Sequence, residues 1–248
     1  MGMFGYAGAL RALMFAFALL WLAPVAEVSA GTLLSPGGAV LIKKSIEPFG
    51  RATAILSEGG LRDKWLSLQR RLADDLVQLA LCEGDRESCV SPAALKFLAV
   101  IDGAKATEGR ARLGEVNRAV NLAIRPADDL VQYGAIDVWA SPLMTFANGT
   151  GDCEDYAIAK FVALRLAGMA PEDLRIVIMH DTLRGEDHAV AAARLDGQWL
   201  TLDNRRMMMV ADTDVRNYRP TFVVDEAGVR RYADMPLVAE AALRYPAD

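Results

Sequence analysis

Apolar residues recur at helical spacing through the front half of this chain and give way, beyond about residue 174, to short β-branched runs. This change of period constrains the fold more than any other feature, because a stretch patterned for one element does not pack as the other. Leu61, Trp65, Leu68, Leu72, Leu76 and Leu79 fall on one helical face, so a helix is predicted over 61–81. Ser91-Pro92 supplies a cap and a first-turn proline for a second helix to about Val100. A third runs from about Glu108 to Ile124 and stops before Pro126, since proline disfavours helical geometry in the residue preceding it. Residues 174–179, 189–195, 199–202 and 221–224 read as strands. Helices first and strands later make an α+β domain, a helical front half packed on an antiparallel sheet.

The first thirty residues stand apart from that pattern. Arg11 precedes an apolar run from Ala12 to Val25, and Val28-Ser29-Ala30 supplies the small residues that a signal peptidase reads. The run is about 14 residues, short of the roughly 20 that cross a bilayer. Residues 1–30 are therefore read as a cleaved leader, 31–60 as an N-terminal extension and 61–248 as the folded domain of an exported, periplasmic protein that is not embedded in a membrane. Arg11 and Glu27 cancel, so the net charge of −5 survives cleavage. A mildly acidic surface without a Lys/Arg run offers no footprint for nucleic acid.

Export makes the three cysteines informative. Cys82 and Cys89 bracket a polar, turn-rich stretch that can close into a short disulfide in an oxidising compartment. Cys153 is then alone, either a small buried hydrophobe or a nucleophile. It sits in Gly149-Thr150-Gly151-Asp152-Cys153-Glu154-Asp155-Tyr156, where Asp152 and Asp155 have the spacing of a capping box and a helix is predicted to start at Cys153 and stop at Gly168. A thiol in a first helical turn faces the positive end of the dipole, which favours thiolate. Asp152, Glu154 and Asp155 work against it, since like charge raises a thiol pKa. An imidazolium from His188 or a bound Ca²⁺ would offset them; the bland alternative is an acidic helix cap.

Two histidines are available as a base, and strand register separates them. Asp196-Gly197 is a two-residue type I′ turn signal that sets Leu195 opposite Gln198. Counting outward, Val190 faces Asp203 and His188 faces Arg205, so His188 and Asp203 share one face as diagonal neighbours, roughly 7 Å apart at the backbone. A carboxylate there can hold the imidazole tautomer while the other ring nitrogen takes the thiol proton. His180 reads as a surface histidine at a strand edge, Arg205 and Arg206 as solvated ends of the hairpin, and Met207, Met208 and Met209 as core or groove filler.

Several segments together resemble the bacterial transglutaminase-like cysteine peptidases, which include periplasmic proteases that cleave large adhesins from the outer membrane. They are Val116-Asn117-Arg118-Ala119-Val120-Asn121, Asp137-Val138-Trp139 with Pro142, Gly151-Asp152-Cys153-Glu154-Asp155-Tyr156-Ala157, His188-Ala189-Val190 and Leu202-Asp203-Asn204. The resemblance implies a papain-like, transglutaminase-like core with Cys153 as nucleophile, His188 as base and Asp203 as its orienting carboxylate. It also implies Ca²⁺ bound through Asp152, Glu154 and Asp155, a protein substrate such as a large surface adhesin, and an inner-membrane regulatory receptor as a partner. Met144 departs from the family, whose adhesin-processing members carry an acidic residue near that place. The constellation supports acyl transfer: thiolate attack on an amide, completed by water in a protease or a deamidase and by an amine in a transglutaminase; the alternative from another class is a non-catalytic transglutaminase-like binding module.

Overall fold

The computed structural model describes residues 46–233; the leader over 1–30 and residues 31–45 of the extension lie outside them. Residues 46–60 of the extension contribute to the sheet. Strand β1 (Thr53–Ile55) occupies one edge, and the Glu47 carboxylate lies buried against the Arg175 guanidinium at 2.8 Å.

Helices α1 (Gly60–Gly84), α2 (Pro92–Lys105) and α3 (Gly109–Ala123) stand where the spacing predicts them. The Ser91 hydroxyl accepts from the Ala94 N–H at 3.2 Å, capping α2 ahead of Pro92. Cys82 at the end of α1 is disulfide-bonded to Cys89, fastening the turn between the first two helices. After α3 the chain enters a two-residue strand, β2 (Arg125–Pro126), and two helices too short to show a period, α4 (Asp129–Tyr133) and α5 (Pro142–Asn148). Strand β3 (Thr150–Gly151) pairs in parallel with β2 and leads into α6 (Cys153–Leu166). Gly168, at φ 94°, ends α6 in a Schellman motif: its N–H bonds to Arg165 O and that of Met169 to Leu164 O, each at 3.1 Å.

The sheet follows in antiparallel turns: β4 (Leu174–Asp181), β5 (Glu186–Leu195), β6 (Gln198–Leu202), β7 (Val210–Ala211), β8 (Tyr218–Asp225) and β9 (Gly228–Tyr232). Its spatial order is β1-β9-β8-β4-β5-β6-β7. Asp196 and Gly197 both take positive φ, 52° and 79°, as a type I′ turn requires, and Leu195 pairs with Gln198 as predicted. Alternation splits β4 and β5 between two faces. Ile176, Ala189, Ala191 and Ala193 pack toward the helices, while Val177, Met179, Val190 and Ala192 form a smaller core on the other side.

Small residues meet where the site is built. Ala189, Ala191 and Ala193 of β5 share a core with Ala157, Ala159 and Ala163 of α6. The α+β architecture expected from the change of period is therefore the one observed, with α6 seated on the sheet at the junction of its helical and β halves. No helix among the described residues is long and apolar enough to cross a membrane.

Candidate active site

Cys153, His188 and Asp203 come from three elements and converge beside one opening. Cys153 begins α6, close enough to β5 for the Ala189 N–H to reach its Sγ at 3.4 Å. His188, on β5, is fully buried and bonds through Nε2 to Asp203 Oδ1 at 2.9 Å. The last paired rung of this hairpin is Ala191 with Leu202, so Asp203 is the first residue past the ladder and lies on the face that the register predicts.

The proton inventory follows from that bond. A carboxylate only accepts, so Nε2 carries the hydrogen and the neutral ring presents Nδ1 as a lone pair. Nδ1 is buried without a hydrogen-bond partner. His188 and Cys153 line the same cleft of about 380 Å³, walled by Leu61, Trp139, Ile178 and Phe222. Burial would raise the Asp203 pKa, but the His188 hydrogen bond and charge outweigh it and hold the carboxyl below its ordinary value.

Cys153 Sγ donates to Glu154 Oε2 at 3.2 Å, and burial, followed by the Glu154 charge, pushes its pKa up. The helix-terminus effect that favours thiolate is thus outweighed by desolvation and by the acidic neighbours that the sequence flagged as opposing it.

Those neighbours separate into two roles. Asp152 and Glu154 gather with Asp129, one ligand oxygen from each lying within 4.8 Å of the others. Asp155, placed with Asp152 and Glu154 by the resemblance, is engaged elsewhere: its Oδ1 accepts from the Ala140 N–H at 2.8 Å. It also packs so tightly on Gly151 that a Cβ there would sit 2.7 Å from Asp155 Oδ2. Asp152 occupies the N-cap position of α6, yet its side chain makes no capping hydrogen bond, so the capping box is not formed. Buried oxygens of Asp129 and Asp152 lack partners, and burial followed by the adjoining Glu154 raises the Asp152 pKa to about 9. Three desolvated carboxylates with unspent lone pairs suit a hard divalent cation. Asp129, Asp152 and Glu154 would hold it.

Other sequence expectations sort out similarly. His180 is partly exposed and pairs with Asp187 at 3.0 Å, away from Cys153. Arg205 is not a free hairpin end: the chain turns at Asp203, and Arg205 reaches Glu186 at 2.6 Å and Asp181 at 3.3 Å. Met209 packs against the core, whereas Met207 and Met208 are exposed.

One buried cation near the site carried no sequence signal. Lys160, two turns beyond Cys153 on α6, is fully buried and donates to the Leu202 carbonyl at 3.2 Å. Burial lowers its pKa to about 7, against the opposing pull of the Asp203 charge. The folded value lies below the unfolded 10.5, so the unfolded chain binds the extra proton between those limits and stability rises with pH across that window. The cost of burying charge at Lys160 is full below pH 7 and vanishes as the unfolded lysine deprotonates. The stability of Lys160→Met relative to wild type, read by urea unfolding, should therefore be most favourable at pH 6 to 7. It should decline toward pH 10 by up to about 1.4 kcal/mol per pH unit. A difference that does not change with pH would mean that Lys160 keeps its proton in the folded state as it does in the unfolded chain.

A thiol at a helix start and an imidazole line one cleft, and a carboxylate bonds that imidazole, in a mixed helix and antiparallel-sheet domain. A family profile described as bacterial transglutaminase-like cysteine proteinase BTLCP matches residues 77–226, and the chain belongs to that family. Among solved structures, LapG of Legionella pneumophila aligns with a TM-score of 0.53 and 20% identity, over 67% of this chain and 91% of its own. Its calcium-bound form gives 0.53 and 21%, over 64% and 92%, and its EGTA-treated form 0.53 and 21%, over 64% and 86%. At this identity the likeness shows a shared fold. A search of curated proteins found no match.

Proposed function

We propose that this protein is an exported, calcium-dependent cysteine protease that hydrolyses a peptide bond of a protein substrate through Cys153, His188 and Asp203. One observation carries the reading: Asp203 bonds Nε2 of His188, Nδ1 is left without a partner, and His188 and Cys153 line one cleft. Nδ1 takes the thiol proton as Sγ attacks the amide carbonyl carbon, giving a tetrahedral oxyanion. The unpaired N–H groups at the start of α6, the helix that Cys153 begins, are the donors expected to hold it. Collapse breaks the C–N bond, and the imidazolium gives its proton to the leaving amine. Water activated by Nδ1 then cleaves the thioester and regenerates the thiol.

Calcium supplies positive charge beside the thiol, at Asp129, Asp152 and Glu154. The fit of these carboxylates supports this, and a relative of the same fold has been described in calcium-bound form. The family resemblance points to a large surface adhesin as substrate, and the apolar walls of the cleft fit an extended peptide.

Comparing the surface-bound and released proteins of cells carrying wild type or Cys153→Ser tests the reading. A substrate should stay uncut and attached in the variant. Identical protein termini in both samples would reject endoproteolysis. A mass change of about one unit at Gln would instead indicate deamidation, and new isopeptide links transglutamination. Recovery of mature protein beginning near Gly31 would support export, and an intact Met1 terminus in the cytoplasm would sink it.

A further inference from the structure

Asp203 stands just past the end of β6, where no neighbouring strand holds its backbone, yet its carboxylate must be placed to within a hydrogen bond of His188. We propose that Asn117 and Asn121 of α3 are positioning residues for the reaction, fixing the loop from Asp203 to Met207 and through it the Asp203 carboxylate. The inference rests on the triad reading given above.

The loop leaves its carbonyls without sheet partners, and a buried carbonyl needs a donor. Asn117 is fully buried, and its Nδ2 donates to Arg206 O and Met207 O, both at 3.0 Å. Asn121 lies one helical turn further along the same face, and its Nδ2 donates to Asp203 O at 3.0 Å and Arg206 O at 3.2 Å. Two side-chain amides thus satisfy three carbonyls of one short loop, the first belonging to Asp203 itself. Both amide oxygens are buried without a partner, so the positions are used for their donors alone.

Those two contacts complete a frame around the carboxylate. The Arg205 N–H closes onto Asp203 Oδ1 at 3.0 Å from within the loop, and Lys160 holds the preceding carbonyl, Leu202 O, from α6. A displacement of the loop moves the carboxylate away from Nε2, and the imidazole loses the partner that selects its tautomer. Asn→Leu keeps the volume and removes the donors. Asn→Asp keeps the shape and sets a carboxylate against carbonyl oxygens. Asn→Ser leaves one donor on a shorter arm.

The test uses the full mature chain in calcium-containing buffer, with two readings that a purely structural residue would not move. One is the downfield proton resonance of the His188 ring N–H bonded to Asp203. The other is the rate of Cys153 alkylation by iodoacetamide as a function of pH. In Asn121→Leu the resonance should vanish or broaden, and alkylation near pH 7 should fall by about tenfold or more. Asn117→Leu, which touches the loop further from Asp203, should show a smaller loss, and Asn121→Ser should lie between Asn121→Leu and wild type. A folded Asn121→Leu with the wild-type resonance and pH profile would overturn the proposal. If Asn121→Leu does not fold, Asn121→Ser decides by the same two readings. Asp203→Ala separates this from the triad reading: wild-type alkylation there rejects the triad itself, whereas slow alkylation there with normal Asn variants rejects only the positioning role.

Discussion

Cys153→Ser is expected to reduce turnover of the processed substrate by at least about a thousandfold while leaving the fold intact, because a serine hydroxyl beside this imidazole is a far weaker nucleophile than a thiol. His188→Ala should cost a similar factor, since His188 is the histidine that lines the cleft with Cys153. Asp203 offers a more diagnostic pair. Asp203→Ala removes the acceptor for Nε2–H but leaves the ring free to adopt either tautomer. Asp203→Asn can instead donate to Nε2, which forces the proton onto Nδ1 and blocks it as the base, so Asn should be the worse substitution despite being closer in shape. Rates of appearance of the new protein terminus, compared among these variants, check the order. An Asp203→Asn enzyme faster than Asp203→Ala would mean that Nε2, not Nδ1, serves the thiol.

Removal of calcium should be nearly as severe for activity, and its effect on stability has a definite sign. The carboxylates of Asp129, Asp152 and Glu154 are mutually close, and each has its pKa pushed upward, burial being the first cause in every case. Without a cation, Asp152, raised to about 9, holds its proton at neutral pH. Binding must expel protons, so apparent calcium affinity should weaken as pH falls from 8 to 6. At a concentration a hundred times its dissociation constant, calcium should stabilise the fold by about 2.7 kcal/mol, a rise of roughly 5–10 °C in thermal midpoint for a domain of this size. EGTA should reverse this rise in wild type and have little effect in Asp129→Asn. Asp155→Asn is the informative control. It should leave the calcium response in place, because Asp155 Oδ1 is bonded to the Ala140 N–H and the three gathered carboxylates are Asp129, Asp152 and Glu154; loss of the response would add Asp155 to the site. Full activity in excess EGTA would end the calcium reading, and an unchanged calcium response in Asp129→Asn would remove Asp129 from the site.

Some features of this site were readable because they depend on local period and parity alone. The start of the nucleophile helix at Cys153, its Gly168 stop and the Asp-Gly turn are each encoded within a few residues. Once that turn sets Leu195 opposite Gln198, side-chain alternation fixes which histidine shares a face with Asp203, without knowledge of any other strand. The parity argument failed one step further out, at Arg205, because the chain leaves the ladder after Leu202 and register no longer applies.

Asp129 and Asp155 mark the opposite case. Three acidic residues flank the thiol in the sequence, and proximity along the chain suggested that all act together. Only packing distinguishes them: Asp155 gives one oxygen to the Ala140 N–H, while Asp152 and Glu154 gather with Asp129, more than twenty positions earlier. The parallel pairing of β2 with β3 brings that segment alongside the nucleophile turn, and a two-residue bridge has no periodic signature. Asn117 and Asn121 lie in a segment that carries the family resemblance, yet their contacts, like those of Lys160, were not legible for a related reason. A polar residue on a helix reads as solvated until the elements covering it are known, and these are covered by a loop and by a strand end far along the chain. The sequence by itself determined the order of elements, the helix that starts at Cys153 and the histidine–aspartate pairing, since each follows from local period and the parity of one hairpin. Only the tertiary structure decided which carboxylates gather and which side chains reach the loop after Asp203, because those depend on contacts whose chain separation no local pattern records.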